Sequence, residues 1–213
     1  MNSSMSASTT ALPRGLYVIT DSKLLAGHLL PAVAAALEGG AAVVQYRHKS
    51  LQGGNRHWFE AEQLLELCRQ YKVPLIINDD VELAVAIGAD GVHLGRGDGS
   101  LAAARQRLGA DAILGATCHD SLHYANEAAN QGASYLAFGA FYPSATKPGA
   151  VQAPLSCISK AQRFHLPVVA IGGITADNAA PLITAGAHCV AVISDLWSAP
   201  DITVRAREFS RLF

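Results

Sequence analysis

YLAFGAFYPSATKPGA, residues 135–150, reads as a buried strand that runs straight into a loop. The first five residues are apolar or aromatic and carry no charge. Pro143, Pro148 and Gly149 then punctuate the second half, where neither helix nor strand persists easily. Within that loop Ser144, Thr146 and Lys147 supply two hydroxyls and an ammonium. Hydroxyls donate to anionic oxygens and a compact ammonium supplies the opposing charge, so the loop suits an anion clamp. The same residue types also make an ordinary solvated loop. The rest of the chain decides which reading holds, because the strand-then-loop unit recurs.

Working outward, short β-branched or apolar runs fall at 16–20, 43–47, 75–78, 91–94, 113–117, 135–139, 168–172 and 190–194. Amphipathic helical stretches lie between them, centred near 33–37, 59–69, 81–87, 101–108, 124–130, 155–163 and 179–185, with a last one at 202–212. Strands apolar on both faces and alternating with helices make a parallel sheet. Eight such units closing on themselves predict a single α/β domain, a (β/α)8 TIM barrel over residues 13–213. A Gly-Ala pair precedes every second strand: Gly40-Ala41, Gly88-Ala89, Gly132-Ala133 and Gly186-Ala187. Each Gly is expected to end the preceding helix in the left-handed conformation. The rival architecture, a doubly wound open sheet, usually carries a Gly-rich fingerprint after its first strand, and Thr20-Asp21-Ser22-Lys23 has none.

Composition bounds the partners. Half of the 213 residues are hydrophobic and 15% are charged, enough for a sizeable core. Sixteen basic and seventeen acidic residues leave a net charge of −1, which argues against a nucleic-acid surface. An anionic ligand must therefore be met by local groups. Cys68, Cys118, Cys157 and Cys189 form no paired motif and read as reduced core thiols of a cytoplasmic protein. Residues 1–12 are Ser/Thr-rich without an apolar core segment, so they read as a disordered tail and not a secretory signal. No apolar run is long enough to span a membrane. A homo-oligomer is compatible with the sequence, which leaves copy number open.

In a barrel the site lies at the C-terminal strand ends. Reading only those positions collects Thr20-Asp21, then Gln45, Arg47 and Lys49, then Asn78-Asp79-Asp80, His93 and Asp98. Thr117-Cys118-His119, the Ser144–Lys147 loop, Gly172-Gly173 and Ile193-Ser194 follow. The opposite ends are mostly Gly, Ala and Pro. Asp79 and Asp98, from adjacent strands, suit Mg²⁺, which takes few protein ligands and completes its shell with water or phosphate oxygens. Asp79 can instead N-cap the third helix, with Glu82 closing a capping box. Gly172-Gly173 permits close backbone approach, and Ser194 offers a hydroxyl opposite, in the position of the usual barrel phosphate site. His119 and His123 have the spacing of a helical metal pair but no visible third ligand. His119 can also serve as a general acid/base.

Several ordered motifs then resemble those of thiamine-phosphate synthases, from Gly15 to the C-terminus. They are Tyr17-Val18-Ile19-Thr20-Asp21, Gln45-Tyr46-Arg47-His48-Lys49, Ile77-Asn78-Asp79, Gly91-Val92-His93-Leu94-Gly95, Asp98, residues 138–147, residues 170–174 and Val192-Ile193-Ser194. The resemblance implies an Mg²⁺-dependent transferase that joins a pyrimidine diphosphate to a thiazole phosphate and releases pyrophosphate. It implies that Gln45, Arg47, Lys49, Asn78 and Thr117 hold the pyrimidine diphosphate, with Asp79 and Asp98 on Mg²⁺ and Lys147 on the diphosphate. Ser144 and Thr146 would meet the thiazole phosphate or the departing pyrophosphate. Gly172, Gly173, Ile193 and Ser194 would hold the thiazole phosphate. Asp79, Asp98 and Lys147 are the residues expected to carry the catalysis.

Four departures from the family pattern stand out. His48 replaces a usual Glu, Asp80 a frequent Arg, and Arg96-Gly97 a usual Gln-Glu. Thr117 and Ser144 are hydroxyl-for-hydroxyl exchanges. Two other enzyme readings compete: a metal-free thiazole tautomerase-like paralogue using His119, and a Schiff-base aldolase using Lys147. The tautomerase has no use for Asn78, Asp79, Asp98 and Lys147 together. An aldolase lysine needs an apolar pocket that Thr146 and Pro148 do not suggest. A non-catalytic barrel that senses a thiamine precursor is the third alternative.

Overall fold

Eight parallel strands pair in chain order and close, the last hydrogen-bonding to the first. They are β1 Gly15–Ile19, β2 Ala41–Tyr46, β3 Leu75–Asn78, β4 Gly91–Leu94, β5 Ile113–His119, β6 Tyr135–Gly139, β7 Val168–Ile171 and β8 Cys189–Val192. This computed structural model describes residues 11–48, 56–144 and 151–213, with Arg56 given by its backbone alone. The helices are α1 Leu29–Glu38, α2 Arg56–Tyr71, α3 Val81–Ile87, α4 Leu101–Leu108, α5 Leu122–Asn130, α6 Ser156–Ala161, α7 Ala180–Thr184, α8 Ser194–Trp197 and α9 Ile202–Ser210. Among the described residues no helix is long and apolar enough to cross a membrane. The expected (β/α)8 barrel is the observed fold.

The period-two alternation of each strand builds two cores. Tyr17, Val43, Ile76, Ile113, Tyr135 and Val169 point inward and fill the barrel. Their neighbours Val18, Val44, Ile77, Leu114, Leu136 and Val168 point outward beneath the helices. Leu12 is buried in the inner core and its carbonyl accepts from His188 Nε2 at 2.8 Å. The barrel therefore takes in Leu12, one residue ahead of the expected boundary. Residues 1–10 of the expected tail lie outside the described residues.

All four Gly-Ala glycines have positive φ: Gly40 95°, Gly88 66°, Gly132 89° and Gly186 106°. At Gly88 the left-handed conformation closes α3, its N–H reaching back to the carbonyls of Ala84 and Val85. On the same face Arg105 of α4 donates to the carbonyls of Gly109, Ala110, Ala112 and Gly132 and to Ser134 Oγ. One guanidinium thereby ties the starts of β5 and β6 together.

Several strand ends differ from expectation. β7 stops at Ile171 because Gly172 and Gly173, at φ 104° and 61°, leave the extended region. β8 stops at Val192, and Ser194 begins α8. The indole of Trp197 on that helix donates to Ile19 O at 2.7 Å, fastening α8 to the end of β1. β5 runs on to His119 through a bulge between Thr117 and His119.

Candidate active site

Among the described residues, the C-terminal rim carries the sequence-predicted ones strand by strand. Gln45 is the inward residue near the end of β2, 3% exposed, and its Nε2 donates to Tyr17 Oη at 2.9 Å. Thr20 and Arg47 extend the β1–β2 pairing beyond the strands: Thr20 N donates to Gln45 O and Arg47 N to Thr20 Oγ1, at 2.9 and 2.8 Å. The Arg47 guanidinium lies 4.0 Å from Asp21. Asp21 Oδ1 also accepts from Lys23 N and Leu24 N. Thr20 and Asp21 thus brace the rim and position Arg47.

Asn78 ends β3, and its Nδ2 donates to Asp79 Oδ2 at 2.6 Å. Asp79 N bonds His93 O across to β4, and Asp79 adopts φ 66°. The expected cap of α3 is therefore corrected. Asp80 holds that place, its Oδ1 accepting from Leu83 N at 2.8 Å. Glu82, one residue too early for a capping box with Asp80, instead forms a bidentate pair with Arg107 of α4. That ion pair lowers the Glu82 carboxyl pKa. Asp80, which replaces a frequent Arg of the family pattern, is spent on the helix start.

Asp98 Oδ2 accepts from Gly95 N at 3.0 Å, which folds the β4–α4 loop back on its strand end. Ser100 caps α4 through Ala103 N, so Asp98 is not needed as the cap. Arg96 stacks over Tyr124 of α5 at 3.7 Å, giving this departure from the family pattern a packing role. His48 stacks between Tyr46 and His57.

Beyond β5 and β6 the picture divides. Thr117 Oγ1 lies 2.9 Å from His93 Nε2. His119 is exposed at φ 53°, and His123 pairs with Glu127 at 3.3 Å. Among the described residues no three His, Cys, Asp or Glu converge on a metal position. Ser121 caps α5, its Oγ accepting from Tyr124 N. Ser144 is half-buried at the end of the described β6 loop. Lys49, Thr146 and Lys147 lie outside the described residues, as does Pro148-Gly149.

The glycines after β7 serve packing as well as access. A Cβ on Gly172 would stand 2.4 Å from Ala140 Cβ, and one on Gly173 2.3 Å from Pro143 O. The β6 loop passes directly over this turn, with Tyr142 N donating to Gly172 O at 3.0 Å. Asn178, unremarked in the sequence, staples the turn: its Nδ2 donates to Gly173 O and its Oδ1 accepts from Thr175 N. It also accepts from Tyr142 Oη through its carbonyl at 2.8 Å. Ile193 and Ser194 stand across from these glycines, at the end of β8 and the start of α8.

Below the rim runs a buried polar row whose two tyrosines the strand-end reading did not single out. His93 Nδ1 lies 2.9 Å from Tyr135 Oη, which is 2.7 Å from Tyr17 Oη. Burial pushes the His93 pKa down to about 4, against a weaker pull from Asp98, and pushes both tyrosines well up. Inward tyrosines at period-two positions in β1 and β6 are the signal that would have found it. Burial likewise pushes the Cys68, Cys118 and Cys189 thiols up to about 12.

Comparison with known proteins places this chain in a family. A family model described as thiamine monophosphate synthase matches residues 16–196. The curated thiamine-phosphate synthase of Methylobacillus flagellatus is 52% identical over 200 residues, covering 94% of this chain and 95% of its own. That of Thiobacillus denitrificans is 52% identical over 202 residues, with 94% and 95% covered. Among solved structures, thiamine phosphate pyrophosphorylase from Pyrococcus furiosus superposes with a TM-score of 0.83 at 35% identity, covering 96% of each chain.

Proposed function

The chain belongs to the thiamine monophosphate synthase family, and from that premise we propose its reaction. It joins 4-amino-2-methyl-5-(hydroxymethyl)pyrimidine diphosphate to 4-methyl-5-(2-hydroxyethyl)thiazole phosphate, giving thiamine phosphate and pyrophosphate. The observation that carries the reading is the division of one rim. Gln45, Arg47, Asn78, Asp79, Asp98 and Thr117 lie in or just after strands β2 to β5, and Gly172, Gly173, Ile193 and Ser194 lie just after β7 and β8. Charged groups gather on the first arc, where a diphosphate needs them. The second arc offers backbone and hydroxyl donors to a single phosphate.

Mg²⁺ fits the first arc. Asp79 and Asp98 are hard oxygen donors at the ends of adjacent strands, and Asp80 is withdrawn into the α3 cap. A two-carboxylate set leaves coordination positions for water and diphosphate oxygens, as this ion prefers. When bound, Mg²⁺ supplies charge neutralisation for the departing pyrophosphate. Arg47 opposes diphosphate charge from a position braced by Asp21 and Thr20. Lys147 is proposed to add an ammonium to the same leaving group. Gln45 and Asn78 orient the pyrimidine, and the second arc holds the thiazole nitrogen at attack distance. The pyrimidine amino group can expel pyrophosphate and leave a stabilised methylene cation, so the site needs leaving-group stabilisation and positioning more than acid/base chemistry. Four buried free thiols support a reducing, cytoplasmic setting.

The test is pyrophosphate release with both substrates present, with and without chelator. Release that needs both substrates and stops with chelator is expected. Turnover of a thiazole tautomer alone, indifferent to chelator, would move the chain to the tautomerase reading.

A further inference from the structure

Five side chains from five strands form one continuous hydrogen-bonded row across the barrel interior. In order they are Gln45, Tyr17, Tyr135, His93 and Thr117, joined by contacts of 2.9, 2.7, 2.9 and 2.9 Å. The row begins and ends on residues read above as ligand contacts. Its three middle members are buried: Tyr17 and Tyr135 are 1% and 0% exposed, and His93 is 9% exposed.

Two features show that the row is built rather than incidental. First, the strand between His93 and Tyr135 carries a glycine at the crossing point. A Cβ on Gly115 would stand 2.1 Å from Tyr135 Cζ, 2.2 Å from its hydroxyl and 2.4 Å from His93 Nδ1. Gly115 has no left-handed φ to require glycine, so the space itself is what glycine provides here. Second, the donors and acceptors count out along one direction. Gln45 gives an N–H to Tyr17 Oη. Each phenol has one proton to place, so Tyr17 donates to Tyr135, and Tyr135 donates to His93 Nδ1. The imidazole, facing hydroxyls on both sides, then carries its single proton on Nε2 and donates it to Thr117 Oγ1. The reverse order would leave the Tyr17 proton buried without an acceptor while Gln45 holds this orientation.

We propose that Tyr17, Tyr135 and His93 are positioning residues that fix the hydrogen-bond direction from Gln45 to Thr117, so that Thr117 meets the ligand as a hydroxyl donor. With Oγ1 already accepting from His93, the Thr117 proton is the group left to offer, and an anionic oxygen is its natural acceptor. The same locking holds the Gln45 amide in one of its two flips. The ligand half of this proposal rests on the synthase reading, whereas the direction of the row does not.

Nitrogen-15 NMR of histidine-labelled protein without ligand tests the direction. His93, assigned through its own backbone amide, should show the Nε2–H tautomer, and an Nδ1–H tautomer overturns the proposal. Tyr17→Phe removes one hydroxyl at nearly constant shape, and with it the acceptor of the Gln45 N–H and the donor to Tyr135. A measurable Nδ1–H population should then appear, and an unchanged tautomer would show that direction is not set through Tyr17. In the pyrophosphate assay Tyr17→Phe should raise KM for the pyrimidine diphosphate about fivefold, the worth of one neutral hydrogen bond. The KM for thiazole phosphate should stay put, and equal rises in both would reduce Tyr17 to a general structural role. If the wild type shows the expected tautomer but no synthase activity, the synthase reading fails while the ordered row stands.

Discussion

Asp80, and not its neighbour Asp79, closes the first turn of α3. Its Oδ1 accepts from Leu83 N at 2.8 Å, while Asp79 stands at φ 66° with Asn78 Nδ2 on its Oδ2 at 2.6 Å. Two adjacent carboxylates thus separate stability from the candidate metal site, and mutation can tell them apart. Asp80→Ala should cost about 1 kcal/mol of stability, the usual worth of an N-cap, and leave the activity of the folded enzyme nearly intact. Asp79→Asn should barely move the melting temperature, because Asn tolerates the left-handed conformation. Its activity should fall on the order of a hundredfold through loss of a charged ligand. Melting curves beside pyrophosphate release check both, and the opposite pattern would exchange the two roles.

The turn after β7 makes a different forecast from the one its glycines suggest in isolation. A side chain on Gly173 would strike Pro143 O and Tyr142 O before it met a ligand, at a backbone φ of 61°. Gly173→Val should therefore cost roughly 1–3 kcal/mol in strain and push the β6 loop aside. Binding of both substrates should weaken when titrated separately by calorimetry. Loss confined to thiazole phosphate would show that the loop accommodates the valine.

His93 predicts a pH signature in stability. Its pKa is lowered from 6.5 to about 4 by burial. Between those values the unfolded chain binds a proton that the folded chain refuses. Stability from this group is therefore complete above about pH 6.5 and is lost as pH falls to about 4. The slope should approach about 1.4 kcal/mol per pH unit for one proton. Urea unfolding of the wild type and His93→Gln should give curves that converge toward acid pH across this window, and parallel curves would show that His93 titrates normally when folded.

Arg105 serves the far end of the barrel. Its five donor contacts, between 2.6 and 3.1 Å, bind loops ahead of β5 and β6. Arg105→Ala should cost about 2–3 kcal/mol, the range for charge-assisted bonds left unmade. Arg105→Lys should recover little, since an ammonium cannot reproduce the planar fork. Denaturant midpoints measure the loss, and kcat of the folded fraction should be unchanged.

His119 is exposed at the rim, and the proposed chemistry gives it no proton to move. His119→Ala should keep synthase activity within a few-fold. A loss beyond about a hundredfold, the lower range of general-base effects, would assign it that role.

Much of this protein was legible before any coordinates. Inward and outward alternation, the four glycine helix stops and the polar strand ends are local properties. A helix must end where its backbone turns left-handed, and a parallel barrel must bring all strand C-termini to one rim. Those facts led to the fold and to the strand-end position of the candidates Gln45, Arg47, Asn78, Asp79 and Asp98.

Contacts between residues far apart in the chain decided the rest. Which aspartate caps α3 depends on the bond from Asp79 N to His93 O on the neighbouring strand, which fixes the backbone at that point. The need for Gly172 and Gly173 comes from a β6 loop about thirty residues earlier that passes over them. Tyr17 and Tyr135 meet across 118 residues of sequence, in a gap that Gly115 leaves open on a strand between His93 and Tyr135. Strand periodicity says that such side chains point inward, and only closure of the sheet says which of them touch. Contact across a barrel depends on register and radius, and neither is a property of any one segment.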